Sequence, residues 1–323
     1  MRRRDFIGFI GGATAWPLAA RAQQSTMPVI GFMTEVPGVA HLNATFLPPF
    51  LRGMAEFGYV EGKNFAIEYR LGPESLPEAA NNLVSRNVNA IFAIGPAAVA
   101  AVSKATTSIP VVGIDLESDP VAMGYVKNLA RPGGNITGIF LDIPELSGKQ
   151  LGLLKEIVPR LSRMAIFGVA GVNALQFAVT ETAARAIGVD VEILEVRVPD
   201  DLHAAMEAAR ARHVEAGILL SSPLVSTFSK LIGELALAKR LPLISLFSEF
   251  PNNGGLMAYG PNLNEMSRRC GEYLGKILHG AKPSELPIQR PERFDLVINV
   301  KTAKAIGVDV PAQLQQLADE IIE

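Results

Sequence analysis

The sequence predicts an α/β protein of two similar lobes, each a parallel sheet with flanking helices, joined by a hinge of several crossovers. Three observations carry this. From Pro28 onward, short β-rich runs alternate with helical patterns, the order that lays parallel strands side by side under helices. The same order then recurs: Ala90–Ala97, a helix and Ser108–Val112 are matched by Ala216–Pro223, a helix and Arg240–Ile244, at offsets of 126 and 132 residues. Finally, the 323 residues are 49% hydrophobic and 19% charged, ample for two buried cores and far from a disordered composition.

In the first half the expected strands are Val29–Met33, Phe65–Tyr69, Ala90–Ile94 and Val111–Ile114. Between them Asn43–Phe57, Pro77–Arg86 and Ala97–Thr106 carry apolar residues at helical spacing, and Gly58 supplies a stop for the first helix. In the second half Met164–Val169, Val191–Val196, Ala216–Leu220 and Leu243–Leu246 are the expected strands, with helices at Asn173–Ile187, Leu202–Arg212 and Ser226–Lys239. The boundary falls at Ala130–Asp142, where Arg131, Pro132, Gly133, Gly134 and Asn135 make a turn before the run Ile136–Leu141. A second passage falls near Met257–Asn262, ahead of the helical pattern Glu265–Leu278. A last strand and helix, Phe294–Asn299 and Lys301–Ile306, follow the Pro-containing segment Lys282–Arg293. Lobe 1 is therefore expected at 27–141 plus about 260–285, and lobe 2 at 142–259 plus about 286–323. Several crossings beside one cleft suit lobes that close on a ligand.

Residues 1–22 read as an export leader. Arg2, Arg3 and Arg4 precede an apolar stretch from Phe6 to Leu18, and Ala20-Arg21-Ala22 has the small-residue pattern of a cleavage site. Arg3-Arg4 followed by Asp5-Phe6-Ile7 is similar to a twin-arginine signal. Cleavage after Ala22 removes four Arg and one Asp, leaving 301 residues of formal charge −5. Such an acidic chain offers no electrostatic basis for nucleic-acid binding. The single cysteine, Cys270, cannot form an internal disulfide, so the exported chain must be held by its core.

The motifs of chemistry are largely missing. Neither a P-loop nor a post-strand G-x-G-x-x-G occurs after the leader, so no nucleotide cofactor is expected. Ser221-Ser222-Pro223 follows a strand and precedes a helix but lacks the glycines of a hydrolase elbow. His41, His203, His213 and His279 have no metal-pair spacing, and no metal is expected. The residues that face a cleft at the strand ends are of another kind. Thr34 and Glu35 follow the first strand, Gly95, Pro96 and Ala97 the third, and the loop with Asp115 and Asp119 the fourth. In the second half Asn173, Ser221, Ser222 and Glu249 hold corresponding places. Acids, hydroxyls and amides beside Phe and Pro suit a small ligand with a polar head and an apolar body. Asp119 or Glu35 could pair with a ligand ammonium, and helix-opening amides could hold a ligand carboxylate. Each acid would equally serve as a turn cap.

Several segments resemble the exported solute-binding proteins of ABC transporters, a family that includes tryptophan- and phenylalanine-binding members with a type I periplasmic-binding fold. They are the leader, Gly58–Asn64, Asp119-Pro120-Val121, Leu129–Gly138, Gly255–Gly260, Gly280–Pro283 and Leu296–Lys304. The resemblance implies a periplasmic receptor that captures a small molecule and delivers it to ABC permease subunits in the membrane. It also implies that Asp119-Pro120 and the loop at Gly95 border the ligand. Two departures stand in that pocket: relatives tend to have Gly-Thr-Pro where this chain has Gly95-Pro96-Ala97, which loses a hydroxyl, and the loop Gly113–Asp119 is one residue longer than usual. An aromatic amino acid is the leading expectation for the ligand, and a monomer for the assembly. An exported enzyme using Ser221 or His41, and a sensor subunit presenting its closed form to a signalling partner, are the alternatives to be separated from a binding protein.

Overall fold

The structure, a computed structural model, describes residues 27–35, 45–72, 75–169 and 171–323. The leader, His41 and Ala170 lie outside the described residues. Largely apolar runs form the middle of the first sheet. β1 (Val29–Thr34), β3 (Ala90–Ile94) and β4 (Val111–Asp115) are buried almost throughout, as strands covered on both faces must be, whereas β2 (Ala66–Leu71) is half-buried at the edge. With β5 (Ile136–Phe140) they make an all-parallel sheet in the order β2-β1-β3-β4-β5. The crossovers are α1 (Leu47–Ala55), α2 (Leu76–Ser85) and α3 (Pro96–Ala105).

The second sheet repeats the scheme with β6 (Arg163–Gly168), β7 (Asp190–Glu195), β8 (Ala216–Leu219), β9 (Leu243–Ser245), β10 (Met257–Pro261), β11 (Phe294–Asn299) and β12 (Glu320–Ile322). Their order is β12-β11-β10-β9-β8-β6-β7. The helices here are α4 (Ile143–Ile157), α5 (Ala174–Ala186), α6 (Asp201–Ala211), α7 (Pro223–Thr227), α8 (Ser229–Lys239) and α9 (Glu249–Asn252). The expected helix Ser226–Lys239 is thus two pieces. Ser222 Oγ accepts from Val225 N and Pro223 opens the first turn, so a short helix forms ahead of the long one. α4, absent from the expected order, buries Ile143, Leu146, Leu151, Leu154 and Ile157 at helical spacing.

The second sheet is not wholly parallel, contrary to expectation, because β11 runs antiparallel to β10. The path of the chain explains this. β10 ends at Pro261, the chain then forms α10 (Leu263–Leu278) on the first sheet, and it returns through residues 286–293 to the same edge it left. β11 therefore starts where β10 stopped, with Pro261 opposite Phe294. The chain passes between the sheets at three places, residues 141–143, 261–263 and 289–294. Arg290 donates to the Phe140 and Leu141 carbonyls, and Asn262 N donates to the Arg293 carbonyl at 2.9 Å, which ties the three strands of the hinge together. Asp142 and Asn262 leave the hinge as caps of α4 and α10.

α10 is the contribution of the late chain to the first core. A Cβ on Gly53 would stand 1.9 Å from the Arg268 carbonyl oxygen, and one on Gly271 2.2 Å from that of Phe50. Two glycines thus let α1 and α10 cross at backbone contact. Beneath them Phe32, Phe50 and Phe92 form an aromatic cluster, with centroids 4.9 Å apart for the stacked Phe50–Phe92 pair and 5.0 Å for the edge-on Phe32–Phe92 pair. Two small further helices, α11 (Val300–Ile306) and α12 (Ala312–Leu317), close the second core.

Candidate functional site

The carboxyl ends of the parallel strands of both sheets face one cavity, the position at which open α/β sheets present ligands. It encloses about 520 Å³ of empty space, its mouth included. The first sheet supplies Thr34 and Glu35 after β1, Gly95 and Pro96 after β3, and Ile114, Leu116 and Glu117 around the end of β4. The opposite wall is Ser222, Pro223 and Ser226 at α7 and Phe247 after β9, with Phe46 and Leu263 beside the hinge. Apolar surface dominates, and the polar groups are few and placed on facing walls.

Local geometry explains which acids turn inward. β4 ends in Asp115, whose Oδ1 accepts from Glu117 N and Ser118 N, both at 2.9 Å. This Asx turn buries Asp115 completely and swings Glu117 toward the second lobe. Glu117 Oε2 accepts from Leu116 N at 3.1 Å, and Glu117 Oε1 pairs with the hydroxyl of Ser221 across the cleft. A second bridge runs from Gln176 Nε2 on α5 to the Leu116 carbonyl at 3.3 Å. Asn173 organises the far side: its Oδ1 accepts from Val169 N at 2.7 Å and its Nδ2 donates to the Ser221 carbonyl at 2.6 Å.

Three carboxyls share this wall, and each is raised above its ordinary value. Burial, and then the neighbouring Asp115, push Glu117 up to about 8, with the bonds from Ser221 and Leu116 and the nearby Glu35 as smaller influences. Burial also raises Asp115, against the lowering effect of its hydrogen bonds from Glu117 and Ser118. Glu35 is raised by burial and then by Asp115. Glu35 Oε1 and Asp115 Oδ2 are buried without a hydrogen-bond partner.

Of the residues singled out from sequence, Thr34, Glu35, Gly95, Pro96 and Ser222 line the cavity. Asp115 lies buried behind it, Ser221 pairs with Glu117, and Asn173 holds the loop of Ser221. Ala97 sits within α3, off the lining. Asp119 stands apart: it is exposed, and its Oδ1 caps Val121 N and Ala122 N at 2.8 and 3.0 Å, the turn-cap role its sequence also allowed. Glu249 opens α9 and lines a second, polar recess with Asn262 and Asp295. Glu117 lies in the strand-end loop from Asp115 to Pro120 that the sequence places at the cleft, but it was not singled out there beside Asp115 and Asp119. Among the described residues no group of three or more His, Cys, Asp or Glu is placed to hold a metal ion, and no helix is long and apolar enough to cross a membrane.

The family model described as ABC transporter substrate binding protein matches residues 46–322. The chain belongs to that family. As an ABC transporter substrate-binding protein it is 23% identical over 266 residues to a tyrosine-binding protein of Clostridioides difficile (strain R20291), across 80% of this chain and 75% of that one. Among solved structures, the ABC domain from Streptococcus pneumonia in complex with L-Trp has a TM-score of 0.82 at 21% identity, covering 92% of this chain and all of the other. The ligand-free, open structure of a substrate binding protein with adhesive properties from Clostridium difficile has a TM-score of 0.69 at 24% identity, covering 92% and 99%. The two-lobed α/β fold expected from the sequence, with its mostly parallel sheets, is the fold of these substrate-binding proteins.

Proposed function

We propose that this chain is the solute-binding component of an ABC importer, capturing a small molecule with an ammonium head and an apolar body by closure of its lobes. The observation that carries it is the cavity itself: its walls come from both sheets, and Glu117 and Ser221 bridge them. The tyrosine and tryptophan of the relatives make amino acids the first class to test. The leader of residues 1–22 supports export to the periplasm, and the sheet memberships support lobes divided near residues 141, 261 and 290. In this reading the released ligand passes to permease subunits in the membrane, and the receptor works as a monomer.

The test is a thermal-shift screen of residues 23–323 against amino acids, amines, aromatic carboxylates, nucleosides and sugars. A ligand at ~100 Kd that binds only the folded chain adds about 2.7 kcal/mol of stability. The expected result is a shift with one class and recovery of that compound with unchanged mass. A shift accompanied by a lasting change in ligand mass would overturn the reading in favour of an enzyme.

A further inference from the structure

The first-lobe wall of the cavity is electrostatically one-sided. Glu35 and Glu117 line it, and the wholly buried Asp115 stands close enough to disfavour the charge on both. Every donor recorded for Asp115 and Glu117 is neutral: the N–H groups of Leu116, Glu117 and Ser118, and the Ser221 hydroxyl. Two of the carboxyl oxygens, Glu35 Oε1 and Asp115 Oδ2, have no donor at all despite their burial. Among the described residues no Arg, Lys or His lines the cavity, and none form a metal cage. Buried carboxyls without a counter-charge are costly, and the cost is removed when a cation arrives.

The helix N-termini at the cavity are weakened as seats for an anion. Helix N-termini favour negative charge through their free N–H groups. α3 opens at the cavity with Gly95 as its cap and Pro96, which has no N–H, as its first residue. Glu35 Oε1 already occupies the approach, 3.0 Å from where a Cβ on Gly95 would stand. On the opposite wall α7 also opens with a proline, and Ser222 Oγ is engaged by Val225 N at 3.2 Å. A ligand carboxylate at α3 would meet the Glu35 carboxyl, and on the opposite wall it would find only the neutral hydroxyls of Ser222 and Ser226.

We infer that the ligand is an organic cation without a carboxylate, a primary amine on an apolar body. Its head pairs with Glu35 and Glu117, backed by Asp115, and its body lies against Phe46, Phe247 and Leu263. This rests on the solute-binding function proposed above and narrows its substrate class from amino acids to their decarboxylated counterparts.

Calorimetric titration at pH 8 with matched pairs separates the two: phenethylamine and phenylalanine, tyramine and tyrosine, tryptamine and tryptophan, agmatine and arginine, cadaverine and lysine. The expected result is at least one amine that binds tenfold or more tightly than its amino acid, weakened at least tenfold by Glu35→Gln and by Glu117→Gln. Because Glu35 Oε1 has no hydrogen-bond partner to lose, its variant remains informative even if Glu117→Gln folds poorly. Amino acids that bind as tightly as or more tightly than their amines would overturn the cation assignment while leaving the solute-binding function intact. No binding by any member of either series would overturn the ammonium-headed ligand altogether, leaving the other compound classes of the stability screen to decide the solute-binding function.

Discussion

Replacing Glu117 by Gln isolates the electrostatic cost of the cavity wall. The amide has the shape of a protonated carboxyl and can keep the contacts to Ser221 and Leu116 N, but it cannot ionise. In the unfolded chain this carboxyl ionises near pH 4.5, whereas in the folded chain it does so near 8. Between those values the folded state holds one more proton, so the wild-type chain loses stability as pH rises from 4.5 to 8, and below 4.5 the contribution is fully present. At about 1.4 kcal/mol per pH unit the loss amounts to roughly 5 kcal/mol for this buried group. Asp115 and Glu35 are the ionisable groups that act on it among the described residues, and both, raised themselves, push in the same direction. Melting of ligand-free wild-type and Glu117→Gln protein, followed by near-ultraviolet circular dichroism from pH 5 to 8.5, reads the difference. The two should coincide near pH 5, and the variant should melt about 10 °C higher above pH 8, taking ~2 °C per kcal/mol for a chain of this size. A gap that does not change with pH would refute the buried-acid reasoning.

Four other outcomes follow from the same geometry. Asp119→Ala should leave ligand affinity within twofold of wild type by calorimetry, because its carboxylate caps an exposed turn; a tenfold loss would put it back in the site. Amine affinity should rise by up to about tenfold per pH unit between pH 6 and 8, with proton release measurable in buffers of different ionisation enthalpy, since a bound cation favours ionised Glu117. Phe247→Ala should weaken ligand binding by roughly 2 kcal/mol through lost apolar contact, read as a loss of about thirtyfold in affinity. Gly53→Ala should destabilise the chain by about 1–3 kcal/mol in denaturant unfolding, because α1 and α10 must separate to admit a methyl group; an unchanged midpoint would contradict the close crossing.

Strands that are buried on both faces were legible because nothing but apolar residues will serve there, as Ala90–Ile94 illustrates with the same limits in sequence and structure. β10 was not legible, since its Gly260 and Pro261 read as turn residues. Here the glycine is required by packing: a Cβ on Gly260 would lie 2.0 Å from the Leu246 carbonyl oxygen. β12 has only three residues and takes its strand character from pairing with β11. α4 carries Pro144, Gly148 and Gly152, which hide a helix whose order comes from burial of one face. The site divides in the same way. Thr34, Glu35, Gly95, Pro96 and Ser222 follow directly from strand ends, whereas Glu117 and Asp119 look alike in sequence. Only the turn closed by Asp115 sends one inward and the other to the surface. Phe247 also follows a strand end, that of β9, whereas Phe46 and Leu263 reach the cavity from distant segments, which no local pattern announces.

Whether ligand occupies the cleft between the two sheets is tested most directly by filling that cleft. Ser226 lines its second-lobe wall from α7, so Ser226→Trp places an indole in the space proposed for the ligand body. Calorimetric titration with the compound that most stabilises the wild-type chain should give one site per chain for wild type and no detectable binding for the variant, with the melting temperature of the ligand-free variant unchanged. Saturation of Ser226→Trp with wild-type affinity would contradict binding in this cleft.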